Sequence, residues 1–236
     1  MTESVHPTTS PGAVLITGGA SGLGAAVVEA VRARGGTPLV IDRDDPAPGV
    51  PHVRADLADT DAVDAAVVSL AERAGGRLDG VFTAAGIDSC GALRDVPAKE
   101  WERVVMVNLL GTAAVVRSAL PYLTHGTSRI VTCASTLGIK AVGDATAYCA
   151  SKFGVVGFTR ALAAELAGDI GVTLLIPGGM HTSFFDDRPE QYKPPADAKL
   201  NQPADVAAMV LFALSQPPGC EIRELVTCSS TESSWP

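Results

Sequence analysis

The chain contains 236 residues, of which 47% are hydrophobic and 19% are charged, and its formal net charge at pH 7 is −8. This composition is typical of a globular chain rather than a disordered one, and the length suits one domain with a sizeable core. The acidic balance argues against a nucleic-acid partner and against binding to an anionic membrane surface.

The start of the chain, its apolar runs and its cysteines bear on the compartment. Residues 1–12 are polar and lack the apolar stretch of a secretory signal, so they are interpreted as a flexible tail. The longest apolar run, residues 104–116, is too short to span a bilayer and contains Asn108 and Gly111. The five cysteines form no CxxC pair and no metal-ligand cluster with the four histidines, which indicates reduced thiols and no metal site. We therefore expect a cytoplasmic protein without a membrane partner.

The first predicted strand, Ala13–Thr17, is followed by a glycine-rich turn and then by an amphipathic stretch that ends at Arg34. In the order strand, glycine turn and helix, backbone N–H groups at the helix start face a pyrophosphate. The glycines at 18, 22 and 24 are spaced GxxxGxG rather than GxGxxG. Taken alone, this motif is also compatible with an ordinary βα turn.

The second predicted strand, residues 38–41, leads into Asp42, which lies 18 positions after Gly24. A carboxylate at this distance accepts a hydrogen bond from an adenosine ribose 2′-hydroxyl and repels a 2′-phosphate, which favours NAD. Arg43 complicates this prediction, because a guanidinium here is able to pair with a 2′-phosphate. NADP therefore stays open as the cofactor.

Further along the chain, strands and helices continue to alternate. Strands are predicted at residues 53–57, 80–83, 129–133, 171–176 and 221–227, and helices at 59–74, 97–123, 145–167 and 205–214. This alternation predicts a single doubly wound, Rossmann-like α/β domain over residues 13–236, with a central parallel sheet flanked by helices. Residues 183–203 form a long, proline-rich connection, which we interpret as a substrate loop that acts as a lid.

Tyr148 and Lys152 are four residues apart in the predicted helix 145–167, so both lie on one face of it. An ammonium beside a phenol lowers the pKa of the tyrosine by roughly 1–3, which suits proton exchange with an alcohol or carbonyl oxygen. A chance surface pair is the alternative. Ser135 follows a predicted strand at the edge where parallel sheets bind ligands. Asn108 places an amide in an apolar run, where it must be hydrogen-bonded.

Together these motifs resemble the short-chain dehydrogenase/reductase family over nearly the whole chain, from Val14 to about Val226. The matching residues are the TGxxxGxG loop at 17–24, Asp56-Leu57, Asn108, Ser135 thirteen positions before the tyrosine, Tyr148 and Lys152 as YxxxK, and Pro177, Gly178 and Thr182. Each motif alone is weak evidence, whereas their shared order and spacing are strong evidence.

The resemblance implies hydride transfer between a nicotinamide cofactor and a secondary alcohol or ketone. Tyr148 would be the acid/base, and Lys152 would lower its pKa and bind the nicotinamide ribose. Ser135 would hold the substrate oxygen, and Asn108 would hold a water in a proton path. The implied cofactor contacts are Gly18, Ser21, Gly22, Leu23, Gly24, Asp42, Arg43, Asp56, Leu57, Ala85, Gly86, Tyr148, Lys152, Pro177, Gly178 and Thr182. A homodimer or homotetramer built through the helices at 97–123 and 145–167 is implied as well.

Some residues depart from the family pattern or stay outside it. Residues 83–86 read Thr-Ala-Ala-Gly where the family has Asn-Asn-Ala-Gly, which removes side-chain bonds that brace the sheet. Trp235 is expected to pack either on another subunit or back on its own domain. Asp88, Lys140 and Asp144 lie in loops that border the expected substrate site and are interpreted as surface charges. Two alternatives stay open: an NADPH-dependent ketoreductase and a non-catalytic dinucleotide-sensing protein.

Overall fold

Seven strands and six α-helices lie along residues 10–235, the part of the chain that the computed structural model describes. The strands are β1 Ala13–Thr17, β2 Thr37–Asp42, β3 His52–Arg54, β4 Gly80–Thr83, β5 Arg129–Cys133, β6 Gly171–Pro177 and β7 Glu224–Thr227. The helices are α1 Gly22–Ala33, α2 Thr60–Arg73, α3 Ala98–Val105, α4 Thr112–Ala119, α5 Thr146–Glu165 and α6 Pro203–Leu214. The tail at 1–12 and the single domain at 13–236 stay predictions, and residues 1–9 lie outside the described part.

All seven strands are parallel and lie in the order β3-β2-β1-β4-β5-β6-β7. β1 pairs with β2 on one side and with β4 on the other, so the direction of winding reverses between β1 and β4. A doubly wound sheet opens a crevice at the carboxyl ends of the strands at such a reversal. The predicted Rossmann-like fold is therefore confirmed.

The central strands are buried on both faces, which explains why they are continuous apolar runs in the sequence. Successive residues of a strand point to opposite faces of the sheet. Val14 and Ile16 of β1 accordingly pack with α1 and α6, whereas Leu15 packs with α2, α4 and α5. Helices packed on both faces thus hold β1, β4 and β5 in place, and the candidate site lies beyond the carboxyl ends of these strands.

The long helix predicted at residues 97–123 is interrupted. A π-helical turn, Met106–Gly111, joins α3 to α4, and a short 3₁₀ turn, Leu120–Tyr122, ends the stretch. Two contacts from outside the helix accompany the wider turn. Gly111 lies against Leu57, where a β-carbon would be 2.7 Å from the Leu57 Cβ, and the Asn108 side chain bonds to the backbone of Ile87. π-helical turns of this kind are frequent at functional sites.

The whole stretch Ala98–Tyr122 passes a test of length and apolar composition for a membrane-spanning helix. Half of its most apolar window is buried inside the fold, where its segments pack against α2 and α5. A buried core helix passes the same test, so the stretch is weak evidence for a membrane segment.

Candidate active site

A cavity of about 600 Å³ opens beyond the carboxyl ends of β1, β4, β5 and β6. Of the predicted site residues, only Asn108 does not line it. Those that do are Gly18, Ser21, Gly22, Leu23, Gly24, Asp42, Arg43, Asp56, Leu57, Ala85, Gly86, Ser135, Tyr148, Lys152, Pro177, Gly178 and Thr182. Residues spread over most of the chain are therefore brought to one crevice.

The glycine-rich loop between β1 and α1 fits closely against its surroundings. Gly18 has a φ of +73°, and a β-carbon there would lie 2.8 Å from the backbone nitrogen of Ala85. At Gly24 a β-carbon would collide with the carbonyl oxygen of Gly18. Ser21 and Gly22 line the cavity where α1 begins, so the first N–H groups of the helix and the positive end of its dipole lie at the wall. This cradle fits the pyrophosphate of a dinucleotide.

Asp42 and Asp56 line the cavity beside this cradle, and both were predicted to contact the adenosine half of the cofactor. The Asp42 carboxylate accepts hydrogen bonds from the backbone nitrogens of Ala20 at 2.9 Å and Asp44 at 3.2 Å. Asp56 pairs with Arg103 at 2.6 Å. Burial raises the pKa of Asp56, but the hydrogen bond from Ala58 and the Arg103 guanidinium outweigh it and hold the pKa below its usual value.

Tyr148 and Lys152 share a face near the start of α5, as predicted. The Lys152 Nζ lies 5.6 Å from the centre of the Tyr148 ring and donates a hydrogen bond of 2.9 Å to the carbonyl oxygen of Cys133. Both side chains are buried, and both line the cavity. A phenol and an ammonium therefore stand next to each other at the crevice.

The direction of the Tyr148 pKa differs from the prediction. Burial raises the pKa of the Tyr148 phenol well above its ordinary value, and the neighbouring Ser135 hydroxyl opposes this only in part. Burial also lowers the pKa of Lys152. The net direction is therefore opposite to the predicted one, because the loss of hydration disfavours the phenolate more than the neighbouring groups stabilise it.

Ser135 and Asn108 take different positions around this pair. Ser135 begins a 3₁₀ turn after β5, where its hydroxyl accepts a hydrogen bond of 3.1 Å from the Leu137 nitrogen. Asn108 is fully buried, and its side chain bonds to both backbone groups of Ile87 and to the Ser151 hydroxyl. A β-carbon at Gly86 would lie 3.4 Å from Asn108 Oδ1 and 3.6 Å from Lys152 Nζ. Asn108 therefore stands behind the cavity wall, on the far side of Gly86.

The predicted substrate loop packs over the site through residues that the sequence did not reveal. Phe184 lies 5.7 Å from Tyr148 between ring centres. The Arg188 guanidinium lies 5.0 Å from the Phe184 ring and 4.7 Å from the Phe185 ring, and it pairs with Asp88 at 2.6 Å. Only 4% of the Asp88 side chain is exposed, so its interpretation as a surface charge is wrong. Asp88 and Arg188 are 100 positions apart, and no local pattern connects them.

The segment after β7 forms a part of the cavity wall that was not predicted. Glu232, Ser233 and Ser234 line the cavity. The Ser234 hydroxyl bonds to the Thr136 hydroxyl at 2.6 Å, and Lys140 Nζ donates to the Ser233 carbonyl oxygen at 2.8 Å. Ser233 and Ser234 thus fold back on their own chain, while 42% of the Trp235 surface stays exposed.

A parallel sheet with a glycine cradle at its winding reversal, next to a phenol, a hydroxyl and an ammonium, defines an oxidoreductase of the nicotinamide-dinucleotide class. The family model for short chain dehydrogenases matches residues 12–193. The chain belongs to the short-chain dehydrogenase/reductase family and is therefore an NAD(P)-dependent enzyme that acts on alcohol and carbonyl groups.

Curated relatives extend over nearly the full chain. Levodione reductase of Leifsonia aquatica is 31% identical and covers 91% of this chain and 92% of its own. The 2-dehydro-3-deoxy-L-rhamnonate dehydrogenase (NAD(+)) of a Sphingomonas species is 32% identical and covers 86% and 87%. These relatives carry names with different substrates, so they support the reaction type rather than a particular molecule.

Solved structures agree with this assignment. The crystal structure of levodione reductase superposes with a TM-score of 0.81 at 28% identity, over 93% of this chain and 96% of that one. A short chain dehydrogenase from Burkholderia cenocepacia, in complex with NADP, gives 0.80 at 26% identity, over 93% and 97%. The similarity leaves the choice between NAD and NADP to the residues of this chain.

Proposed function

We propose that this enzyme transfers a hydride between a nicotinamide cofactor, NAD in preference to NADP, and a secondary alcohol or ketone. The observation that carries the proposal is the meeting of Tyr148, Ser135 and Lys152 in the cavity that the glycine cradle also lines. The bound cofactor supplies the hydride chemistry, and the side chains hold and polarise the small molecule.

Each side chain has a role set by its chemistry. The Tyr148 hydroxyl exchanges a proton with the substrate oxygen, and the Ser135 hydroxyl donates a hydrogen bond to the same oxygen as charge develops there. Lys152 places a positive charge beside the phenol and offers N–H donors to ribose hydroxyls. Asn108 holds Ile87 and Ser151 in place, and we keep the proposal that it takes part in a proton path.

The raised pKa of Tyr148 fits one half of the reaction directly. A phenol that stays neutral at pH 7 is ready to give a proton to the oxygen of a ketone during reduction. Oxidation of an alcohol requires the phenolate, so the pKa must fall in the catalytic complex. The ammonium of Lys152 and the positive charge of the oxidised nicotinamide both act in that direction.

The charges at the adenosine end favour NAD. Three carboxylates line it, on Asp42, Asp44 and Asp56, against two guanidiniums, on Arg43 and Arg103, which leaves a net charge of −1. Arg103 is already paired with Asp56. A 2′-phosphate would add two charges of the same sign to this surface, whereas a ribose hydroxyl donates to Asp42. The rival proposal, an NADPH-dependent ketoreductase, depends on Arg43 turning towards that phosphate.

The cofactor preference is tested by comparing kcat/KM with NAD and NADP. We expect Asp42→Ala to weaken NAD binding about tenfold, the size of one lost charge-assisted hydrogen bond. Asp61→Ala removes an exposed carboxylate on α2 that does not line the cavity; it is the control and should change NAD affinity by less than about threefold. A wild-type preference for NADP would overturn the role of Asp42.

Catalysis is tested with Tyr148→Phe. Removing the hydroxyl should lower turnover by about 10²–10⁴, the usual contribution of a general acid/base, and leave dinucleotide affinity nearly unchanged. Tyr122→Phe, on the far end of the long helical stretch, is the control and should keep full turnover. Equal turnover in the Tyr148 variant would refute its role as the acid/base, whereas wild type that binds the dinucleotide without any turnover would support the third candidate, a dinucleotide sensor.

We further propose a homodimer or homotetramer in the cytoplasm. Met106, Leu110 and Phe153 are 36%, 45% and 44% exposed on the π-helical turn and α5, an apolar surface of the kind that subunit contacts cover. The five free cysteines suit a reducing compartment. Leu110→Arg combined with Phe153→Arg should reduce the mass measured by light scattering to that of a monomer. A wild-type monomer would refute the association, and cell fractionation checks the location.

A further inference from the structure

Glu232 lies where the wall after β7 meets the turn after β6. Its Oε2 accepts a hydrogen bond of 3.1 Å from the backbone nitrogen of Gly179. A β-carbon at Gly178 would lie 2.5 Å from the same oxygen, so the carboxylate rests directly on that glycine. Glu232, Tyr148 and Lys152 line the same cavity.

The Glu232 carboxylate is held by neutral donors. The Ser234 nitrogen and hydroxyl bond to Oε1 at 3.1 and 2.7 Å, and Gly179 bonds to Oε2. Within residues 10–235, no lysine, arginine or histidine forms an ion pair with it. Burial raises the pKa of Glu232, but these hydrogen bonds outweigh it and keep the pKa below its usual value. Glu232 is therefore a charged group at the cavity wall whose charge has no partner in the described chain.

We propose that Glu232 is a positioning residue that supplies the counter-charge for the oxidised nicotinamide ring. The inference rests on the proposed function, which brings a nicotinamide to Tyr148, Lys152 and the Pro177-Gly178 turn. The ring is positively charged when oxidised and neutral when reduced. A carboxylate on the same cavity wall therefore stabilises the oxidised form and leaves the reduced form almost unaffected.

Lys152 does not cancel this effect. Its Nζ donates to the carbonyl oxygen of Cys133 instead of pairing with Glu232, and its charge is the same in wild type and in a Glu232 variant, so it does not affect that comparison. Asp88, the other carboxylate near the site, is already paired with Arg188. Glu232 is thus the carboxylate at this end of the cavity that is left to balance a cationic ligand.

The test is calorimetric titration of the full-length protein with NAD⁺ and NADH, and in parallel with NADP⁺ and NADPH, in the absence of substrate. Glu232→Gln keeps the shape of the side chain and removes its charge. We expect it to weaken binding of the oxidised form about fivefold and to change binding of the reduced form by less than about twofold. The measured quantity is the ratio of the two Kd values, which a purely structural role would not change.

Two further variants separate charge from structure. Glu224→Gln removes a carboxylate on β7 that pairs with Arg160 instead, and the Kd ratio should stay at the wild-type value. Ser234→Ala removes the hydroxyl bond to Glu232, leaves the backbone bond in place and keeps the charge, so it should also keep the ratio within about twofold.

The outcomes separate the inference from the proposed function. Wild-type protein that binds neither dinucleotide pair overturns both. Wild-type binding with an unchanged Kd ratio in Glu232→Gln overturns the inference alone. A ratio that shifts equally in Ser234→Ala also overturns it, since the effect would then come from the shape of the wall.

Discussion

Asp88→Asn removes the charge that Arg188 pairs with and keeps nearly the same side-chain volume. In the structure the two groups are 2.6 Å apart, and only 4% of the Asp88 side chain and 16% of the Arg188 side chain are exposed. The pair joins the loop after β4 to the substrate loop, and the Arg188 guanidinium also lies over Phe184 and Phe185. The substitution therefore weakens the closed position of the substrate loop and leaves the sheet unchanged.

The size of the effect follows from burial. Removing one partner of a buried ion pair costs about 3–5 kcal/mol when the remaining charge stays buried. Here the loop is able to carry Arg188 into water, and while it stays closed the new amide oxygen still accepts a hydrogen bond from the guanidinium worth about 1.5–3 kcal/mol. We expect closure to lose about 2 kcal/mol, which raises the population of the open loop about 30-fold.

Limited proteolysis with trypsin measures this population. Lys199 is the cleavage site in the loop, because Arg188 and Lys193 precede prolines and resist trypsin. Cleavage follows the open population when opening is fast compared with cutting. The control is Asp186→Asn, which removes a neighbouring exposed charge and should cleave at the wild-type rate. Thermal unfolding should change little, because only the loop opens. Equal cleavage of Asp88→Asn and wild type would refute the ion pair as the element that holds the loop closed.

Two other predictions concern stability. The Thr83 hydroxyl is buried without a hydrogen-bond partner in the described structure, at the position where the family has Asn. Thr83→Val should therefore stabilise the protein by about 1 kcal/mol and raise the Tm measured by calorimetry by about 2–4 °C. An unchanged or lower Tm would contradict this. The folded pKa of Asp56 lies below its ordinary value of 3.8, so its contribution to stability is complete above that pH and is lost as the pH falls through the folded pKa. The urea midpoint of Asp56→Asn should therefore fall less steeply than that of wild type below about pH 4, and parallel curves would show that the Arg103 pair contributes nothing.

The strands were predictable because a buried parallel strand is a continuous apolar run in the sequence. β1, β4 and β5 begin and end where their apolar runs begin and end, since both faces of each strand are covered by helices. The glycine cradle and the spacing of Tyr148 and Lys152 are local patterns too. These features depend on a few neighbouring residues, and the sequence displays them directly.

The features that were missed depend on distant contacts. The π-helical turn Met106–Gly111 reads as ordinary helix, because its contacts with Leu57 and Ile87 come from other parts of the chain. The pairing of Asp88 with Arg188 and the placement of Glu232 against Gly178 also join segments far apart. The pKa of Tyr148 was predicted in the wrong direction because i to i+4 spacing indicates a neighbour and says nothing about burial.

Because of the π-helical turn between α3 and α4, the effect of deleting one residue from the stretch Ala98–Tyr122 depends on where the deletion is made. A π turn holds one residue more than an α turn, so deleting a residue within Met106–Gly111 would restore regular winding and leave α4 facing the sheet as before. The same deletion at Val116 would rotate everything after it by about 100° and turn apolar side chains towards water. The fold should thus tolerate a one-residue deletion in the π-helical turn, which also sets the direction of the Asn108 side chain.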